Sequence, residues 1–250
     1  EITCRDWSSD VCSSDLLDKI TIQNTRSIHF YGAGCASPEK ANFIKEGLYQ
    51  KFPHSKIQVY SDLLGSARAL HGTSAGLVVI LGTGAAMAFY DGEKIVKTAP
   101  SLGYILGDEG SGAYFGKKLI AAYLTKELPA SLNSKFEKFT TLRKNEILEN
   151  IYHKPFANKF LASFMPFISI NYDNEFVVNL ISETIPIILK QMKRHFEPNE
   201  LQSLGFTGSV AYCLQNHLTL LASQIHQNQI RILKDPIQSL SIFHIQNKIL

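Results

Sequence analysis

Between Gly76 and Gly116 the chain reads GLVVILGTGAAMAFYDGEKIVKTAPSLGYILGDEGSGAYFG, and this stretch limits the fold more than any other. Its first run, Leu77-Val78-Val79-Ile80-Leu81, is rich in β-branched residues and far too short to cross a membrane, which predicts a buried strand. The strand runs into Gly82-Thr83-Gly84. Glycine tolerates positive φ and leaves the main chain open to an approaching anion, so a turn of this kind can wrap a phosphate. A second apolar run, Met87 to Tyr90, is followed by Asp91-Gly92, a strong hairpin signal, and by a third strand at Lys94 to Lys97. The stretch closes on Gly107-Asp108-Glu109-Gly110-Ser111-Gly112, an acidic, glycine-rich turn before a predicted helix. Taken singly, GTG is also an ordinary tight turn, and GDEGSG also a solvated loop with a helix cap. Two flexible polar turns at neighbouring strand ends make a site architecture.

The totals narrow the class. A chain of 250 residues is one large or two small domains, and 45% apolar residues supply a sizeable core. The net charge of +3 is mild and its cations are scattered, which leaves no nucleic-acid footprint. Cys4, Cys12, Cys35 and Cys213 form no CxxC pair and no dense framework; they read as reduced thiols of a cytoplasmic protein. No apolar run approaches the ~18 residues of a membrane span, and the start of the chain has no apolar leader segment. Residues 1–16, EITCRDWSSDVCSSDL, are polar, serine-rich and without period, and they resemble translated sequencing-adaptor sequence. They read as a non-native tail, the alternative being a native disordered one.

Ser27 to Tyr31 is a β-type run ending at Gly32-Ala33-Gly34. Ser37 followed by Pro38 reads as an N-cap with proline in the first turn, so a helix is expected to about Phe52. Lys56 to Tyr60 is another strand, ending at Ser61-Asp62 before a small-residue helix over Leu63 to Leu70. This rhythm predicts parallel strands with crossover helices. A carboxylate at the carboxyl end of a parallel strand sits where open α/β sheets bind ligands, so Asp62 is a candidate general base. It is also a candidate N-cap of the following helix, the commoner role for an aspartate there, and the two roles are compatible. Helical spacing returns at Lys117–Lys126, Asn145–Tyr152, Phe156–Ile170 and Asp173–Phe196, with a kink expected near Pro186. His153 and His195 stand alone and suggest surface positions. A strand at Leu201–Thr207 leads into Gly208-Ser209-Val210-Ala211 and a helix; Gln229–Leu233 is a last strand, and Ile237–His244 a last helix.

The order Ser61-Asp62, Gly82-Thr83-Gly84, Gly107-Asp108-Glu109-Gly110-Ser111 and Gly208-Ser209-Val210-Ala211 resembles the N-acetylglucosamine kinase and BadF/BadG/BcrA/BcrD ATPase family, of the actin–hexokinase–Hsp70 superfamily. The segments PSLGYILGDEGSGAYFGKKL (100–119), FYGAGCASPEK (30–40) and KPFANKFLASF (154–164) are similar to bacterial members, and the likeness spans roughly residues 20 to 245. It implies a two-lobed α/β actin-like ATPase (ribonuclease H-like) fold with a helical insert in the second lobe and a first lobe that is incomplete here. The implied division is 17–72 with 236–250 for the first lobe and 73–235 for the second. The resemblance further implies ATP-dependent phosphoryl transfer to an amino-sugar hydroxyl. Gly82, Thr83 and Gly84 would grip the ATP phosphates, Gly208 and Ser209 the adenosine, and Asp62 would take the proton of the acceptor hydroxyl. Asp108, with Ser101, Leu102 and Gly103, would form part of the sugar wall. Phosphoryl transfer asks for positioning and charge neutralisation, which suits such a cleft.

Two departures from the family's pattern matter. The family's opening hairpin carries a phosphate loop whose aspartate positions Mg2+, and no such loop stands before Ser27. Ala85 and Ala86 occupy positions where small polar residues are usual in the family. The expectation is a chain lacking the first strands, with an unpaired sheet edge and impaired turnover. The cofactors expected are ATP and Mg2+, with no protein metal site, and the partner a small sugar, with neither nucleic acid nor membrane and with a homodimer open. Two alternatives stand beside the kinase: a non-catalytic sugar-sensing domain, and an ATPase that activates a partner enzyme. Cys35 and Cys213 match no iron–sulfur pattern that would favour the latter.

Overall fold

The computed structural model describes residues 25–225 and 230–247; the expected tail, with Cys4 and Cys12, lies outside them. Two strands open the described chain. β1 (Ser27–Gly32) and β2 (Lys56–Ser61) pair in parallel, from Ser27 opposite Lys56 to Gly32 opposite Ser61. Their crossover is α1 (Pro38–Lys51), which begins where expected: the Ser37 side chain accepts the Lys40 N–H and Pro38 sits in the first turn. Among the described residues β1 pairs with β2 alone.

α2 (Asp62–His71) follows β2 directly. A five-stranded sheet comes next, in the order β5-β4-β3-β6-β7. It contains β3 (Gly76–Leu81), β4 (Ala85–Tyr90), β5 (Ile95–Thr98), β6 (Leu204–Thr207) and β7 (Arg231–Leu233). β3, β4 and β5 form an antiparallel meander, while β6 and β7 run parallel to β3. The hairpin at Asp91-Gly92 forms because Gly92 takes φ 104° and the Asp91 carboxylate accepts the Glu93 and Lys94 N–H groups, each at 2.8 Å.

The helical insert between β5 and β6 holds α3 (Gly103–Leu106), α4 (Gly112–Leu124), α5 (Ala130–Phe139), α6 (Lys144–Tyr152), α7 (Ala157–Ala162), α8 (Met165–Ile170) and α9 (Glu175–His195). α10 (Ser209–Cys213) and α11 (Gln215–Ser223) follow β6, and α12 (Ile237–Asn247) ends the described chain. Three expectations change. The single helix over Phe156–Ile170 is two, because Phe156 takes a left-handed φ of 62° outside α7 and the helix stops at Ser163 before restarting with Pro166 in its first turn. α4 starts at Gly112, well before Lys117, because the Ser111 hydroxyl caps it by accepting the Tyr114 N–H at 3.1 Å. α5 has no counterpart in the sequence reading. α9 carries Pro186 within its length, and no helix among the described residues is long and apolar enough to cross a membrane.

β3 explains why its sequence is continuously apolar. Leu77, Val79 and Leu81 pack into the large core shared with the insert, while Val78 faces Ala67 and Leu70 of α2 together with Tyr90. A central strand covered on both faces has no polar side to show. α2 also reaches the other sheet, where Ala69 packs with Tyr31 and with Leu240 of α12. It packs on strands of both β-units, and α12 bridges them too, through Tyr31–His244 and Arg231–Ser239.

Candidate functional site

The site is built from the loops at the carboxyl ends of β3, β6 and β2. Gly82-Thr83-Gly84 joins β3 to β4 and closes on itself, the Gly82 N–H donating to the Gly84 carbonyl at 3.0 Å. Its other carbonyls are taken by α4: Gly112 N–H donates to Gly82 O at 2.8 Å and Ala113 N–H to Thr83 O at 3.1 Å. The first amides of α4 are thereby spent on the turn. A trans peptide sets its C=O and N–H in opposite directions, and the described chain has no cis bond. With the Gly82 and Thr83 carbonyls aimed at α4, the Thr83 and Gly84 N–H groups aim away from it. A side chain at Gly82 would meet no atom within 4 Å, so there is open space beside the turn. Two amides and a threonine hydroxyl on one side of such a turn suit phosphate oxygens.

Asp108 is pressed against this turn. Its Oδ2 lies 3.0 Å from where a Cβ at Gly84 would stand, and its carboxylate accepts the Ala85 N–H. A side chain at 84 would crowd the Asp108 carboxylate, and Ala85 contributes through its backbone, whatever its side chain. Asp108 holds a φ of 57°, a conformation that a non-glycine residue keeps only when its surroundings enforce it. Burial pushes its carboxyl above the ordinary aspartate range; the Ala85 amide opposes this, the neighbouring Glu109 adds to it, and Lys117 subtracts. Glu109 is itself anchored, accepting a hydrogen bond from Gln191 of α9 at 2.7 Å. Ser101-Leu102-Gly103 leads into α3 and folds back on the same loop: Gly107 N–H donates to Gly103 O at 2.9 Å, and Lys117 Nζ donates to Tyr104 O at 2.9 Å.

Gly208 brings the third loop in. At φ 115° its backbone rides over the end of β3, so a Cβ there would stand 2.3 Å from Leu81 O and 3.2 Å from Gly82 N. Its N–H donates to Leu233 O at 2.9 Å, tying β6 to β7, and Ser209 opens α10, exposed. Just before it, the buried Thr207 Oγ1 donates to Ser66 Oγ of α2 at 3.0 Å. Ser66 lies one helical turn from Asp62.

Asp62 is the first residue of α2. The cap alternative falls to its neighbour: Ser61 is the N-cap, its hydroxyl accepting the Leu64 N–H at 3.2 Å. The Asp62 Oδ1 accepts the Leu63 N–H at 2.9 Å, and a carboxylate there also favours the positive end of the helix. Cys35 and Lys40, both missed by sequence reasoning, share its neighbourhood. Burial raises the Cys35 thiol, the Asp62 charge raises it further, and Lys40 opposes. Lys40 folds back over the turn after β1, its Nζ 3.5 Å from where a Gly34 Cβ would stand. The structure therefore gathers Gly82, Thr83, Gly84, Asp108 and Gly208 into one contact cluster, reaches Ser101–Gly103 through Gly107, and connects Asp62 to it through Ser66 and Thr207. Surface hollows along α1 and α9 contain none of these residues.

No protein-family profile matches the chain, and no curated protein matches it. Among solved structures, a protein from Porphyromonas gingivalis proposed to be an N-acetylglucosamine kinase matches at 36% identity and a TM-score of 0.86, covering 94% of this chain and 84% of that one. This chain belongs to the N-acetylglucosamine kinase family. A second protein proposed to be such a kinase, from Chromobacterium violaceum, matches at 19% identity and a TM-score of 0.60 over 87% of this chain and 75% of its own, and shows the fold alone. The family's actin-like ATPase fold accords with the three-strand meander continued by parallel strands.

Proposed function

We propose that this chain is an ATP-dependent kinase that transfers the γ-phosphoryl group to a hydroxyl of an amino sugar of the N-acetylglucosamine type. The observation that carries the reading is the convergence at the end of β3, where Asp108 and Gly208 each touch the Gly82–Gly84 turn and two turn amides are directed to one side. In this reading Thr83 and Gly84 hold the phosphates, and Gly208 with Ser209 holds the nucleoside. Asp108, with Ser101, Leu102 and Gly103, receives the sugar. Asp62 accepts the proton of the acceptor hydroxyl as its oxygen bonds to phosphorus and the bond to the ADP oxygen breaks. The division into lobes at 17–72 with 236–250 and at 73–235 belongs to the same proposal.

The described residues gather no three metal-ligating side chains. Mg2+ is expected on the nucleotide's own phosphates, and no step is assigned to it.

A coupled ADP-release assay with and without N-acetylglucosamine, joined to calorimetry with each ligand, tests the reading. Sugar-dependent ADP release supports it. Hydrolysis indifferent to sugar points to a partner-activating ATPase, and sugar binding without ATP binding to a sensor. Asp62→Asn is expected to lower kcat by roughly 10²–10⁴ while leaving sugar affinity near wild type. Asp108 must be ionised to accept sugar hydroxyls, and its folded pKa is raised. Sugar affinity should therefore weaken on acidification with a midpoint above 3.8, the ordinary aspartate value, as a calorimetric pH series would read.

A further inference from the structure

Next to the Gly208–Ser209 turn stands an aromatic ring that the phosphate and sugar assignments leave unused. α10 opens at Ser209; its Val210 and Ala211 are buried, while Tyr212 is 46% exposed. Tyr212 lies three residues beyond Ser209 and four beyond Gly208, on the same side of the helix turn. The ammonium of Lys234 stands 5.9 Å from its ring centroid. Lys234 is carried by the residue after Leu233, whose carbonyl accepts the Gly208 N–H. Ring and cation thus come from two segments joined at Gly208, the residue that rests on Leu81 and Gly82 at the phosphate turn.

We infer that Tyr212 and Lys234 form the platform for the base of the bound nucleotide. The inference rests on the nucleotide reading above and extends it to the ligand's aromatic end. The purine stacks on the exposed face of Tyr212, and Lys234 steadies the ring through its cation–π contact and adds positive charge beside an anionic ligand. Phosphate has no apolar face to offer this ring.

Calorimetric titration of the full chain with ATP and with inorganic tripolyphosphate, both with Mg2+, separates base from phosphate recognition. Tyr212→Ala should weaken ATP binding about 10-fold and leave tripolyphosphate unchanged. Tyr212→Phe and Tyr212→Trp should retain ATP affinity, and Lys234→Gln should weaken it about 3-fold. Unchanged ATP affinity in Tyr212→Ala overturns the platform, and so does an equal loss for both ligands. Should Tyr212→Ala fail to fold, the decision passes to fluorescence of ethenoadenosine triphosphate. The platform requires its emission to change on binding wild type and Tyr212→Phe and to shift further with Tyr212→Trp; an emission indifferent to the ring at 212 overturns it. Absence of any ATP binding by the wild-type chain overturns the nucleotide reading itself, a result distinct from either.

Discussion

The two β-units of this molecule are held by different means. In the five-stranded unit β3 is covered on both faces, and α9 alone buries Val177, Leu180, Ile181, Ile185, Ile188 and Met192. The β1–β2 unit has a small cluster of Ile28, Phe52 and Ile57, and its crossover helix α1 buries no residue at all. Its further cover is borrowed from the joint, where Ala69 of α2 and Leu240 of α12 close on Tyr31. Polar contacts replace missing apolar ones there. Arg68 donates to the Tyr31 hydroxyl at 2.7 Å, Tyr31 meets His244 Nε2 at 2.9 Å, and the His29 and His244 rings lie 3.9 Å apart. One unit is a core that carries loops. The other is placed by the helices connecting it to that core, and Asp62, at the head of α2, takes its position from the joint.

Glycine-to-alanine substitutions in the two units should give opposite signs. A Cβ at Gly116 of α4 would stand 1.8 Å from Leu161 O, a backbone atom that cannot yield alone. Gly116→Ala is expected to cost about 3 kcal/mol, lowering Tm by about 6–12 °C. Gly47 of α1 has nothing within 4 Å of its Cβ position. Gly47→Ala should stabilise by about 1 kcal/mol through helix propensity alone. Thermal melts of both variants check the contrast, and a destabilised Gly47→Ala would show that α1 is covered at Gly47 and would break it.

Acid should separate the units next. Burial, then the His29 ring and the Arg68 charge, push His244 down from 6.5 to about 4. His244 is therefore neutral in the fold, while the unfolded chain protonates near 6.5. The stability it contributes is complete above that value and is lost as pH falls from 6.5 toward 4. His71, in α2, shifts the same way because it is buried and Arg231 stands near, with its bond to Leu77 O opposing. Hydrogen-exchange protection, corrected for intrinsic rates, should fall in β1 before β3 across this window. His244→Gln should flatten the pH dependence in β1, and equal loss in both strands would break the contrast.

Much of the fold was readable from local chemistry. The strands announced themselves as apolar runs, the hairpin as Asp91-Gly92, and α1 as Ser37-Pro38. The break between α7 and α8 was not, because Pro166 is as acceptable in a first turn as in a kink and the apolar period continues across Ser163. In the site, the glycine turns could be read from their residue type, and at Gly208 close approach to Leu81 demands glycine. The contacts that align them could not. Glu109 and Gln191 are 82 residues apart, and Ser66 and Thr207 are 141 apart, so no local spacing marks either pair. A serine inside a run of small residues looks like filler until its partner is placed.

That last pair is the finest measure of how the two units are coupled. The Thr207–Ser66 bond is buried and links the strand end beside Gly208 to the helix headed by Asp62. Thr207→Val keeps the shape and strands the Ser66 hydroxyl; Ser66→Ala strands the Thr207 hydroxyl. Each single change should cost about 1–2 kcal/mol, and the double change less than their sum, since removing both partners leaves no buried group unpaired. Urea melts of the four proteins give the coupling. If the bond also sets Asp62 against the phosphate turn, the double variant should recover stability without recovering kcat. Recovery of both would mean that α2 is held in place by its apolar contacts with Val78 and Tyr90, and that the hydroxyl pair only satisfies itself.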